Sequence, residues 1–288
     1  EMMVQNRLIA DGALSKADIR LPIRGAATSL AGLAVALVVC LAGLWQRGGA
    51  VRLLGLLALV AVMVQGLFGG VRVLLNELIG PDLATIHGIF AQVVFGLLTT
   101  VAVMTARPVE VSSTQERLFG KIGAGLAALV FVQIVFGALV RHGPTPLTQR
   151  LHMFTAFVVA LVTMEFVHRL FKNPAVRARV APLGWVLALL LVAQVYLGVE
   201  AWLARFGSPE LSESQRMTPL YIATRTLHAL IGSSLWATSL AAALWLLRPS
   251  VRAVDTLQDH APEQAALAFA PATGGPVGVI IHADALSK

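Results

Sequence analysis

Three times along this chain a glutamine is followed four residues later by a glycine, and after a short connection a histidine appears. The sets are Gln65, Gly69 and His87; Gln133, Gly137 and His152; Gln194, Gly198 and His228. Four residues after each histidine stands a small residue, Ala91, Ala156 or Gly232. A spacing of four puts both members of a pair on one helix face. The chemistry such a set can do is metal ligation, because a neutral imidazole nitrogen is a good donor to iron. In apolar surroundings each imidazole must also be satisfied, since an unpaired polar group there is costly. Small residues one turn along clear a helix face for something flat, and two histidines from facing helices can hold iron axially. Arg72 and Arg141 follow two of the glutamine motifs and could pair with the carboxylates of such a group. The rival reading is ordinary helix packing, in which glutamine, glycine and a lone histidine are all common. Three histidines in one repeated setting favour a planar cofactor, a heme.

These residues need elements that bring them to one depth. The chain has 288 residues, of which 57% are hydrophobic and 13% charged. Soluble domains carry about 25% charged residues, so a soluble fold is excluded. Apolar runs of bilayer-spanning length predict seven transmembrane helices at about 26–45, 53–73, 83–104, 122–140, 151–171, 183–203 and 222–247. Pro and Gly punctuate the connections, as in Gly143-Pro144 and Asn173-Pro174. The fold class read from this is all-α, a polytopic membrane protein built of repeated helical hairpins. The net charge of +7 reflects basic loops that set topology, so it points to no nucleic acid. Eleven Lys and Arg lie on the side of the first loop and six on the other. The positive-inside rule then puts the C-terminus in the cytoplasm and the histidines toward the outer face. The four basic residues Arg7, Lys16, Arg20 and Arg24 argue the other way. Cys40 is the single cysteine, so neither an intramolecular disulfide nor a CxxCH heme attachment is possible. No signal peptide is evident at the N-terminus. The Ala-, Pro- and Gly-rich residues from Pro249 onward read as a mobile tail.

Three segments, VQGLFGGVRVLL with LATIHGIFAQ, FVQIVFGALVRH with RLHMFTAF, and AQVYLGVEAWL with TLHALIGSS, resemble the heme A synthases. The resemblance runs from about Leu53 to Leu247. It implies two similar four-helix halves, each with a heme site near the outer face between two histidines. The C-terminal half would hold a heme b cofactor. The N-terminal half would oxidise the C8 methyl of heme O to the formyl of heme A, for cytochrome c oxidase assembly. Carried over residue by residue, His152 and His228 match the heme b ligands, and His87 matches one substrate-side histidine with a catalytic role. Gln133, Gln194 and Arg141 join the cofactor-binding set.

The resemblance also implies partners: heme O as substrate, an electron donor of unknown identity, possible heme O synthase or oxidase assembly proteins, and membrane lipid. The location implied is a bacterial plasma membrane. The sequence departs from the family where a Glu-x-x-His-type motif is expected. Residues Arg20 to Ala26 hold neither Glu nor His. The resulting organisation is a polar segment 1–25, an incomplete substrate half 26–105, a heme b half 106–248 and the tail 249–288. An absent N-terminal portion, with an eighth helix, is the expectation. The alternatives are a heme b electron-transfer protein, or a non-catalytic heme-binding or assembly protein. Of the other histidines, His142 neighbours Arg141, His168 is expected to pair with Glu165, and His260 and His282 fall in the tail. Glu200 reads as an interfacial, solvated carboxylate.

Overall fold

Apolar side chains on every face and a backbone that satisfies its own hydrogen bonds leave the helix as the stable form in lipid. The computed structural model describes residues 31–46, 48–79, 81–106, 114–207 and 218–248; the side chains of 72–79 and 81 are not described. The segments 1–25 and 249–288, expected to be a polar segment and a mobile tail, lie outside the described residues.

Among the described residues the fold is all-helical, with seven helices and no strand. They are α1 (Ala31–Leu44), α2 (Gly49–Ile79), α3 (Pro81–Thr105), α4 (Thr114–His142), α5 (Pro146–Lys172), α6 (Pro174–Phe206) and α7 (Pro219–Leu247). The last six are long and apolar enough to cross a membrane, and the protein is an integral membrane protein. The first expected span, 26–45, is described as a helix only over Ala31–Leu44.

Several helices start on one device. Thr145, Asn173 and Thr218 are N-caps whose side chains accept from the backbone N–H three residues on, and a proline follows each at the first helical position. This combination satisfies an orphan amide and fixes φ where no donor is needed. It also sets register. His152 lies six residues into α5, as His87 does in α3, and His228 nine residues into α7.

Two helices begin well ahead of their expected spans, by eight and nine residues. α6 begins at Pro174 and runs through Pro182, with a kink at Val180 (φ −127°, ψ 15°). Proline removes one helical hydrogen bond and crowds the preceding turn, so the helix bends there without ending. α4 begins at Thr114 because the charge of Glu116 is met. Its Oε2 accepts from Arg179 Nη1 at 3.0 Å, with side chains only 5% and 10% exposed. Replacing Glu116 with Ala would strand the buried guanidinium without its carboxylate, at a cost of about 3–5 kcal/mol. Unfolding in detergent should show that loss, and a Glu116→Leu, Arg179→Met double variant should recover most of it.

Helices α4 to α7 form a four-helix ring in which α4 meets α5 and α7, and α6 meets α5 and α7. α5 and α7 thus stand diagonally across the bundle. α3 packs on α4 and α7 and carries α2 beside it. Between α3 and α7, a Cβ on Gly96 would come within 2.3 Å of the Trp236 ring, so glycine admits that indole. α1 crosses α2 where Gly43 and Gly55 let the two backbones touch, and Cys40 is buried there beside Ala58 and Val101.

Glu165 does not pair with His168 as expected. It accepts from Arg169, four residues on, and both side chains are exposed. A carboxylate and a guanidinium at that spacing share a helix face.

Candidate heme-binding site

The three repeated sets make one contact three times. Across α2 and α3, Gln65 Nε2 lies 3.2 and 3.3 Å from the two ring nitrogens of His87 and donates to its carbonyl at 3.3 Å. Across α4 and α5, Gln133 Nε2 donates to His152 Nδ1 at 3.1 Å and to its carbonyl at 2.9 Å. Across α6 and α7, Gln194 Nε2 lies 3.4 Å from His228 Nε2. In each hairpin the outgoing glutamine meets the incoming histidine, so the motif is a structural unit.

The glycines of the three motifs sit against the imidazoles. A Cβ on Gly69, Gly137 or Gly198 would lie 3.5, 3.2 or 3.0 Å from Cε1 of His87, His152 or His228 respectively. At Gly137 and Gly198 the glycine thus clears its helix face for the imidazole of the next helix, while at Gly69 a Cβ would make ordinary contact. Likewise Gly232, one turn after His228, leaves the space that the Gln194 amide takes; a Cβ there would be 2.9 Å from its Nε2. Gly198→Ala should press on the His228 ring with an overpacking cost of about 1–3 kcal/mol. Ligand binding that depends on that ring should weaken about tenfold or more. Gly125→Ala, which meets nothing within 4 Å, should leave it unchanged.

His152 and His228 face each other across the bundle, with ring centroids 6.4 Å apart and planes at 83°. Two imidazoles on opposite sides of one metal, each bonded at about 2 Å, put their centroids about 6 Å apart once the rings' own radii are added. The pair therefore has the spacing of two axial ligands.

The packing around them is uneven. Buried residues of α4 stop at Val130, those of α5 begin at Val159, and those of α6 stop at Leu191. In α7, Tyr221 apart, they begin at Gly232. The bundle is close-packed at the end away from the histidines, around Leu126, Leu170, Leu187 and Leu246. At the histidine end no residue of 131–142, 146–158, 192–206 or 222–231 is buried.

Of the other expected residues, Arg141 sits exposed in the last turn of α4, and Arg72 has no described side chain. His87 is on α3, outside the α4–α7 ring, so the structure does not bring it together with the His152 and His228 pair in one bundle. Three residues escaped the sequence reading. The Thr155 hydroxyl donates to the Leu151 carbonyl at 2.7 Å and lies against Gln133 Oε1. Arg225, one turn before His228, donates to the Tyr221 hydroxyl at 3.0 Å and lies over its ring. Glu116 pairs with Arg179 across 63 residues. Of these only Arg225 left a signal, its place three residues before a motif histidine.

Compared with protein-family models, curated proteins and solved structures, the chain matches none of them.

Proposed function

We propose that this protein binds a heme b between His152 and His228 and acts as a heme A synthase-like oxidoreductase. The single observation that carries the reading is the 6.4 Å between the centroids of these two rings, which come from helices standing diagonally across the bundle. Among the described residues no three of His, Cys, Asp and Glu come together. Two imidazoles alone under-coordinate a bare ion, whereas a macrocycle supplies its own equatorial donors and asks the protein for two axial ones. The donor set fits such a group. His152 and His228 would hold it, and the group would supply one-electron and oxygen chemistry. Gln133 and Gln194 orient the two rings, as partners of metal-ligating histidines generally do. Arg225 and Arg141 stand on the same end of the bundle and suit the pairing of carboxylates.

On this reading His87, held by Gln65 in the same manner, serves the substrate side, where the C8 methyl of heme O would be oxidised to the formyl of heme A. The partners are heme O, an electron donor, heme O synthase or oxidase assembly proteins, and the surrounding lipid. The membrane is a bacterial plasma membrane with the C-terminus in the cytoplasm.

A second reading is a heme b carrier or a non-catalytic assembly protein, which needs the His152 and His228 pair and no second site. Expression in cells that supply heme O, followed by heme extraction, separates the two. A formyl-bearing heme supports the enzyme. Bound heme b with no formyl product supports the carrier.

A further inference from the structure

Building on the heme reading, we infer that Tyr221 and Arg225 form an anchor for the free carboxylates of the porphyrin, so that α7 holds the macrocycle at two points, its iron at His228 and its acidic edge at Arg225. The pattern of α7 carries this. Tyr221, Gly232, Leu235, Ser239, Ala242 and Leu246 belong to its buried face. They follow one another at spacings of three and four, except for one gap of eleven between Tyr221 and Gly232. Arg225 and His228 stand in that gap and continue the same spacing. Residues so spaced share one side of a helix. Arg225 is therefore on the inward stripe of α7, between Tyr221 and His228. A charged side chain there has no place in a bundle that only packs, since ionic groups inside a membrane protein are costly and mark sites.

The guanidinium is held in place, yet its charge is not met. Arg225 Nη1 donates to the Tyr221 hydroxyl at 3.0 Å, and its Cζ lies 5.0 Å from the centre of the Tyr221 ring. Tyr221 is only 7% exposed, so the group that holds Arg225 is itself fixed. A phenol oxygen and a ring face are weak partners beside a carboxylate. Among the described residues the ion pairs are Glu165 with Arg169 and Glu116 with Arg179, and neither includes Arg225. A guanidinium has five N–H donors in a planar fork, of which Tyr221 takes one, and the rest suit a planar anion. Three residues separate Arg225 from His228, a rise of about 4.5 Å. Side chains lean toward the helix N-terminus, so the guanidinium stands farther from the packed end than the imidazole does. The two are near enough along α7 for one macrocycle to reach both. The ligand class is thus a porphyrin with free carboxylates, and one whose carboxylates are esterified loses this contact. Tyr221 is a positioning residue that sets the guanidinium before the ligand arrives.

The test uses the full chain in detergent, purified from heme-deficient cells, and two probes. Hemin has its carboxylates free. Hemin dimethyl ester has the same iron and ring with the carboxylates masked. Absorption titrations give a Kd for each probe, and the readout is the ratio of the two in each variant relative to the wild type. That comparison cancels the unequal partition of the probes into micelles. Arg225→Gln should weaken hemin about tenfold or more, the weight of one hydrogen bond to a charged group, and leave the diester nearly unchanged. Arg225→Lys, which keeps the charge without the fork, should retain part of the preference. Tyr221→Phe should weaken hemin about threefold, the weight of one neutral hydrogen bond, and spare the diester. Equal losses for both probes in Arg225→Gln would mark a structural role and overturn the inference, as would no loss for either. If Arg225→Gln fails to fold, Arg225→Lys and Tyr221→Phe decide, and an unmoved ratio in both overturns the inference. In each of these cases hemin uptake by the wild type leaves the heme reading standing. A wild type that binds neither probe would overturn the heme reading, and the anchor with it.

Discussion

Replacing either His152 or His228 with alanine is expected to remove the low-spin heme spectrum of the purified protein. Each ring supplies one of only two axial donors. The two stand on different helices, α5 and α7, with no third histidine in the α4–α7 ring near them; His142 and His168 sit toward the ends of α4 and α5. Loss of one ligand should leave a high-spin, loosely held heme, and loss of both should leave none. The fold should persist in each case, since the close-packed end of the bundle is built by Leu126, Leu170, Leu187 and Leu246 and does not include either histidine. Unchanged helical content, followed by circular dichroism, accompanies the expected loss. Full retention of the low-spin spectrum in both single variants would remove the assignment.

The second large effect concerns His87. Its alanine variant should abolish formation of formyl-bearing heme while leaving the heme b spectrum nearly intact. The separation follows from the architecture. His87 opens α3, which packs on the outside of α4 and α7, whereas His152 and His228 lie across the ring from each other. Extracted hemes resolved by chromatography give the product, and the difference spectrum gives the cofactor. Heme b lost along with the product would mean that His87 belongs to the same site.

The sequence made the helices legible because a bilayer tolerates few alternatives. Apolar runs of spanning length could be little else, and the repeated Gln, Gly and His marked a face and a depth. What stayed hidden were contacts between residues far apart along the chain. The pairing of Glu116 with Arg179 spans 63 positions, and a basic residue near a span end reads first as a topology signal. It is this pair that lets α4 begin eight residues ahead of its apolar run. Pro182 reads as a boundary, yet α6 absorbs it as a kink, with Val176 and Val180 buried before it and Gly184 and Leu187 after it. Thr155 had no counterpart to draw the eye: the matching positions after His87 and His228 are Phe90 and Ile231. The glycines were found by spacing, but the side chain each one faces was not. At Gly137 and Gly198 the missing Cβ makes room for an imidazole, and Gly232 makes room for the amide that holds one.

The central claim is that His152 and His228 are the two axial ligands of one heme. Electron paramagnetic resonance of the wild-type chain, purified from heme-replete cells and quantified for heme against protein, tests it most directly. The expected result is one heme b per chain with the signature of low-spin ferric iron between two neutral imidazoles. A protein that emerges without heme and takes up none when hemin is added, or a heme whose signal shows fewer than two imidazole ligands, would contradict it.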